Sequence, residues 1–254
     1  MTDVLILSVF AFFGGLVDAV AGGGGLILVP ALFAVYPGAP PALLLGTNKL
    51  SSIAGTTFAT LRYAWSIPIS WRTILPAAVV ACGGGIAGAK TVTLFEPGVL
   101  RPLILVMLGG VAIYTMVRRD FGARPGIRIR REIEGPGIAA LAAVVGFYDG
   151  FFGPGAGSFL LFGLVRVFAY DFLVAAASTK VLNLATNFGA LILFVMTDNV
   201  LYVVGIPMAV CSIAGGLLGA QLAVLGGARF IRRMFLVVAV ALITKLAYDL
   251  LFAK

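Results

Sequence analysis

Two lysines stand in polar stripes within stretches otherwise too apolar to hold a charge. Lys49 lies in Gly46-Thr47-Asn48-Lys49-Leu50-Ser51-Ser52, and Lys180 lies in Ser178-Thr179-Lys180-Val181-Leu182-Asn183. On an α-helix, Asn48, Ser52 and Thr56 share one face, with Lys49 at its edge. Thr179, Asn183 and Asn187 make the same stripe beside Lys180. Charged and polar groups at the centre of a bilayer are costly unless they are paired or wet. The two stripes are therefore expected to face each other across a cavity. Ammonium groups, amides and hydroxyls would make that cavity rich in donors, which suits a small oxyanion. A plainer alternative stands beside this one: each Lys neutralises an Asp and only pins helices together.

Asp18 and Asp149 are the clear carboxylates inside long apolar tracts. Burial in a low dielectric favours the neutral carboxyl, so both are candidate proton carriers. Each is followed by a glycine cluster, Gly22 to Gly25 in one case and Gly153-Pro154-Gly155-Ala156-Gly157 in the other. Such clusters predict a break in the helix, tolerated at membrane depth only where protein or a water-filled cavity surrounds it. Free N–H groups at such a break form an anion site, which makes Gly23, Gly24, Gly155 and Gly157 candidate substrate contacts. The alternative role for each Asp is to cap the break or pair with a Lys.

Other chemistries are poorly served. The chain has no His and two cysteines, Cys82 and Cys211, with no CxxC pair. Ser-His-Asp or Cys-His catalysis and a His-ligated metal are excluded, and no cofactor is expected. A Ser-Lys pair through Ser178 or Ser52 is the one enzymatic arrangement left, and nothing further supports it. No phosphate-binding G-x-x-x-x-G-K-[ST] loop is present.

The elements that position these residues are read from an internal duplication. Gly15, Asp18, Gly22 and Gly24 recur as Gly146, Asp149, Gly153 and Gly155, without a gap. The same offset relates Lys49 to Lys180, Pro76 to Pro207, Gly84-Gly85 to Gly215-Gly216, Gly88 to Gly219 and Arg101 to Arg232. The composition is 61% hydrophobic and 11% charged over 254 residues, the balance of a polytopic membrane protein. Duplication inside a bilayer points to a transporter with its site between two related halves. The halves are residues 1–117 and 136–254, joined by an Arg-rich linker over 118–135. The fold predicted is all-α, with two inverted repeats, each a broken or re-entrant helical hairpin plus three transmembrane helices.

Spans are expected over Pro41 to Tyr63, Ile69 to Leu94, Pro97 to Val117, Phe172 to Thr197, Val200 to Leu225 and Ala228 to Phe252. Two longer broken tracts, Val4 to Val35 and Pro136 to Phe168, open the halves. The apolar N-terminus is not read as a signal peptide, because Asp3 precedes it and its counterpart recurs around Asp149. If each broken tract crosses once, the halves are parallel. If each is a hairpin, they are inverted. With the Arg-rich linker inside, the hairpin arrangement also places Arg62, Arg72, Arg166, Arg229, Arg232 and Arg233 inside, and it is preferred by the positive-inside rule. The same rule explains the net charge of +8 without nucleic acid, for which no base-reading motif exists. Gly84-Gly85-x-x-Gly88 and Gly215-Gly216-x-x-Gly219 read as small-residue helix contacts, compatible also with a homodimer. Trp65 and Trp71 read as interface aromatics.

The tract from Gly14 to Gly25 with Gly46-Thr47-Asn48-Lys49 resembles the TauE/SafE family of sulfite exporters. The run Gly146-Phe147-Tyr148-Asp149-Gly150-Phe151-Phe152-Gly153-Pro154-Gly155-Ala156-Gly157-Ser158, followed by Ser178-Thr179-Lys180-Val181-Leu182-Asn183, is similar to that family's other hallmark. The resemblance covers nearly the whole chain. It implies a multi-pass transporter of the bacterial inner membrane for a sulfur-containing anion such as sulfite or a sulfonate. An anion channel, or a permease for an organic anion without sulfur, is the alternative.

Overall fold

The computed structural model of the chain describes residues 1–117 and 131–252. Every regular element among them is an α-helix: α1 (Thr2–Ala21), α2 (Gly25–Val35), α3 (Pro41–Ala64), α4 (Trp71–Leu94), α5 (Pro97–Val117), α6 (Arg131–Phe151), α7 (Ala156–Arg166), α8 (Phe172–Met196) and α9 (Tyr202–Phe252). Helix α9 contains a non-helical residue at Gly227, with φ 62 and ψ −167. Helix α6 begins at Arg131, ahead of Pro136, where the second long apolar tract opens in the sequence. Arg131, Glu132 and Glu134 are good helix formers and carry the helix back in spite of Gly135. The rest of the Arg-rich segment lies outside the described residues.

Both long tracts break where glycine permits it. Gly22 takes a left-handed conformation at φ 72, and its N–H bonds back to the Asp18 carbonyl at 2.8 Å. This is a C-terminal cap that a side chain would strain. Helix α2 then turns back along α1, so that a β-carbon added at Gly14 would lie 2.9 Å from Leu28. In the second half, Gly153 (φ 99) and Gly155 (φ 84) make the corresponding break between α6 and α7. Moved by the separation of Asp18 and Asp149, the bounds of α1 to α4 fall within two residues of those of α6, α7, α8 and the part of α9 before the Gly227 break.

Each half lends a helix to the other. Helix α1 packs along α9, with Gly215 against Phe12 and Gly219 against Leu16. Helix α6 packs along α4 in the corresponding way, with Gly84 against Ala143 and Gly88 against Phe147. The glycine clusters are thus helix-contact seams, as their spacing predicts. Residue numbers rise together in these pairs, so the helices are parallel. Helices α3 and α8 meet at the centre and run antiparallel: Gly46 lies against Phe194, Lys49 against Asn187, and Thr60 against Lys180.

Two apolar clusters enclose a polar layer. Leu44 and Leu45 of α3 belong to one cluster with Ala190 and Phe194 of α8. Ala59 and Tyr63 belong to the other with Ala175, Ala176 and Leu182. Between them lie the buried polar side chains of both helices. Among the described residues, four helices are long and apolar enough to cross a membrane: Thr2–Val20, Trp71–Leu94, Phe172–Met196 and Tyr202–Gly227. Helix α3 falls short on composition because it carries so much of the polar layer.

Candidate functional site

The two lysines are paired with the two aspartates, and the pairing crosses between halves. Lys49 of α3 donates to Asp149 Oδ1 of α6 at 2.8 Å and to Asn187 Oδ1 of α8 at 3.0 Å. Lys180 of α8 donates to Asp18 Oδ2 of α1 at 3.1 Å and to the Asp18 main-chain carbonyl. The repeat relates one pair to the other, but their surroundings differ. The Asp149 side chain is 4% exposed and also accepts from the Thr186 hydroxyl. The Asp18 side chain is 19% exposed, and its further contacts are long: Thr56 Oγ1 and the Gly24 N–H each approach to 3.4 Å. Both lysine side chains are 2% exposed. Removing a partner from such a buried pair would leave an uncompensated charge.

A small polar cavity of about 20 Å³, room for a single water molecule, lies at this crossing. The α3 stripe supplies Asn48, Lys49 and Ser52 to its wall, and the α8 stripe supplies Asn183 and Asn187. Asp18 and Asp149 complete the side-chain lining, and the hairpin tips contribute Gly22, Gly25, Gly153 and Gly157. The tips touch each other: a β-carbon at Gly157 would lie 2.7 Å from the Gly22 Cα. Asn187 is held by its own amide, which donates to the Asn183 main-chain and side-chain oxygens at 2.8 Å. Asn48 Oδ1 is buried without a partner.

Several expected residues stand off this cavity. Thr56 and Gly24 line a second small cavity against Asp18, Gly14 and Ser212. Gly23 and Gly155 line neither cavity. Thr179 is buried with its hydroxyl unpartnered, and Lys180 sits behind Asp18 rather than on the central wall. Thr186 clamps Asp149, yet its counterpart in the first half is Gly55, so comparison of the halves could not reveal it. Two tyrosines hold the hairpin tips by their main chain. Tyr63 donates to Ala19 at 3.1 Å, and Tyr148 donates to Pro154 at 2.6 Å. Cys82 and Cys211 are free thiols. Among the described residues, no group of three or more His, Cys, Asp or Glu could hold a metal ion.

The site therefore offers fixed donors and two carboxylates in a space closed by apolar layers. A bound anion would meet ammonium and amide N–H groups in a low dielectric, where each interaction is stronger than in water. It would also meet the carboxylates of Asp18 and Asp149.

Comparison with known proteins points to a family of membrane transporters. The family model described as sulfite exporter TauE/SafE matches residues 7–246. A protein of Sinorhizobium named probable membrane transporter protein ORF9 is 35% identical over 96% of this chain and 92% of its own length. The probable membrane transporter protein YfcA of Escherichia coli is 33% identical over 98% of this chain and 92% of its own. A probable membrane transporter protein of Haemophilus influenzae is 31% identical over 96% and 94%. No solved structure matches the chain significantly.

Proposed function

This chain belongs to the sulfite exporter TauE/SafE family of membrane transporters, and from that premise we propose that it carries a small sulfur-containing anion, such as sulfite or a sulfonate, by alternating access. The observation that carries this reading is the pair of crossed Lys–Asp contacts at a polar cavity between the two halves. A carrier must link occupancy of its site to the fit between its moving parts. Here an anion that draws an ammonium group from its carboxylate alters a bond between the halves at the same moment. A proton on the released carboxylate would keep the site near neutrality, which is the basis for proton coupling through Asp18 or Asp149.

The halves are taken as inverted repeats of a bacterial inner-membrane protein. Support comes from the antiparallel course of the equivalent helices α3 and α8. The hairpin of α1 and α2 adds to it. Asp18 is level with Thr56 and Ala19 with Tyr63, so the tip reaches deep beside α3 before the chain returns to the end where α3 begins. The test is counterflow of labelled sulfite into proteoliposomes preloaded with unlabelled sulfite, beside sulfate and acetate. Transient accumulation of label with sulfite is expected. Net flux without counterflow would show a channel, and counterflow with acetate alone would remove the sulfur preference.

A further inference from the structure

The repeat makes Lys49 and Lys180 equivalent, but their settings are not. Lys49 is on the wall of the central cavity, beside Asn48, Ser52, Asn183 and Asn187. Its ammonium gives one bond to Asp149 and one to a neutral amide, and both acceptors also line the cavity. Lys180 is off that wall. It is held by the carboxylate and the main-chain carbonyl of one residue, Asp18, in the last turn of α1. A cation bonding the last carbonyls of a helix is a fixture of that helix end.

The difference is written into the sequence and would survive any exchange of conformation between the halves. Where α8 places Asn183, Thr186 and Asn187 around the Lys49 pair, α3 has Ser52, Gly55 and Thr56. Gly55 carries no hydroxyl to clamp Asp18 as Thr186 clamps Asp149. Thr56 is too short to reach a lysine as Asn187 does, and it contacts Asp18 instead.

Resting on the anion-transport reading above, we infer that the two lysines divide the work: Lys49 is the lysine that contacts the transported anion, with Asn48 and Asn187 beside it, and Lys180 is a strut that fixes the tip of the first hairpin through Asp18. An anion arriving at Lys49 takes the third N–H and draws the ammonium from Asp149, while Lys180 keeps its bonds.

Two measurements on the purified full chain test this. The first compares neutral, shape-conserving pairs, Lys49→Gln/Asp149→Asn and Lys180→Gln/Asp18→Asn, by sulfite titration. The first pair should weaken sulfite by about tenfold or more, the loss expected for one charge-assisted hydrogen bond. The second, which reaches the cavity wall only through Asp18, should weaken sulfite clearly less than the first while melting at a lower temperature than the unaltered chain. The reverse pattern, or equal losses, overturns the assignment.

The second measurement needs no variant. Cyanate is a small anion in equilibrium with isocyanic acid, to which a lysine amine adds to give a carbamoyl-lysine with no leaving group. Peptide mapping of the folded chain should find Lys49 carbamoylated before Lys180. Modification of Lys180 first, or no preference for Lys49, overturns the assignment. Sulfite should protect Lys49. Preferential modification without protection would retain Lys49 as the anion contact and reject sulfite as its ligand, so the two readings fail separately.

Discussion

A lysine and an aspartate buried together are worth more as a pair than apart, and the two pairs here should show that to different degrees. Asp149 is bound by Lys49 and Thr186 and is nearly sealed from solvent. Truncating it leaves a buried ammonium with only the Asn187 oxygen. Asp149→Ala should therefore cost about 3–5 kcal/mol of stability. Asp18 is more exposed, and its contacts other than Lys180 are long. Asp18→Ala should cost less, because water can reach the freed charge. Thermal denaturation in one detergent compares them, and equal losses would contradict the difference in burial. Gly153 makes a second case at this scale. Its φ of 99 suits glycine alone, and an added β-carbon would lie 3.2 Å from Lys49 Nζ. Gly153→Ala should cost about 1–2 kcal/mol in backbone strain and should also weaken sulfite binding by displacing the ammonium. Unchanged affinity in a folded variant would separate the second hairpin tip from the site.

Helices in this molecule meet through glycine, and neighbouring glycines on one helix need not do the same thing. In α4, a β-carbon on Gly84 would press on main-chain atoms of α6, 2.7 Å from the Ala143 oxygen and 2.9 Å from the Phe147 nitrogen. Gly83 has nothing within 4 Å. Gly84→Ala should push α4 and α6 apart and cost about 1–3 kcal/mol. Gly83→Ala should be neutral or should stabilise by about 0.5–1 kcal/mol through helix propensity. Opposite signs in a thermal melt are the expected result, and loss at both positions would count against the seam. Much at this scale is legible in the amino-acid sequence. The polar stripes, the breaks after Asp18 and Asp149, and the glycine seams are periodic or compositional patterns that local physics translates directly. The crossed pairing is not legible there, because it depends on α1 packing along α9 and α6 along α4, and an offset between repeats is silent on which copy meets which. Nor is Thr186, whose partner position is a glycine. Of the site residues, Asn48, Lys49, Ser52, Asn183, Asn187, Asp18, Asp149 and Gly157 do converge on one cavity. Gly23 and Gly155 do not, since a run of glycines marks a turn without saying which of its members faces inward.

For the whole molecule, the direction of α3 relative to α8 turns charge placement into a topology test. The C-terminal end of α3 carries Arg62 and leads to Arg72 at the start of α4. The N-terminal end of α8 follows Arg166, and Thr60 meets Lys180, so these ends lie at the same side of the polar layer. Arg72 and Glu134 line one surface cavity there, and Tyr170 donates to Glu134 at 2.7 Å. Burial, reinforced by that carboxylate, pushes the Tyr170 phenol well above the usual tyrosine range. The other side of the polar layer holds the start of α3 and the end of α8, where Gly46 meets the Asn199 carbonyl and Asp198 lies close by. An excess of arginine at one side belongs to the cytoplasm. Trp65 and Met196 are well exposed and cap the C-terminal ends of α3 and α8. With Cys82 and Cys211 replaced by alanine, Trp65→Cys should react with an impermeant maleimide only from the cytoplasmic side. Met196→Cys should react only from the opposite side. Parallel halves would send the two equivalent ends to one side of the membrane, so labelling of both from the same face would overturn the inverted arrangement. The exchange of α1 and α6 between halves would then need another account. If the labels fall on opposite faces, the cavity at Lys49 lies between two oppositely directed copies of one hairpin, and a single rocking motion could expose it to either side in turn.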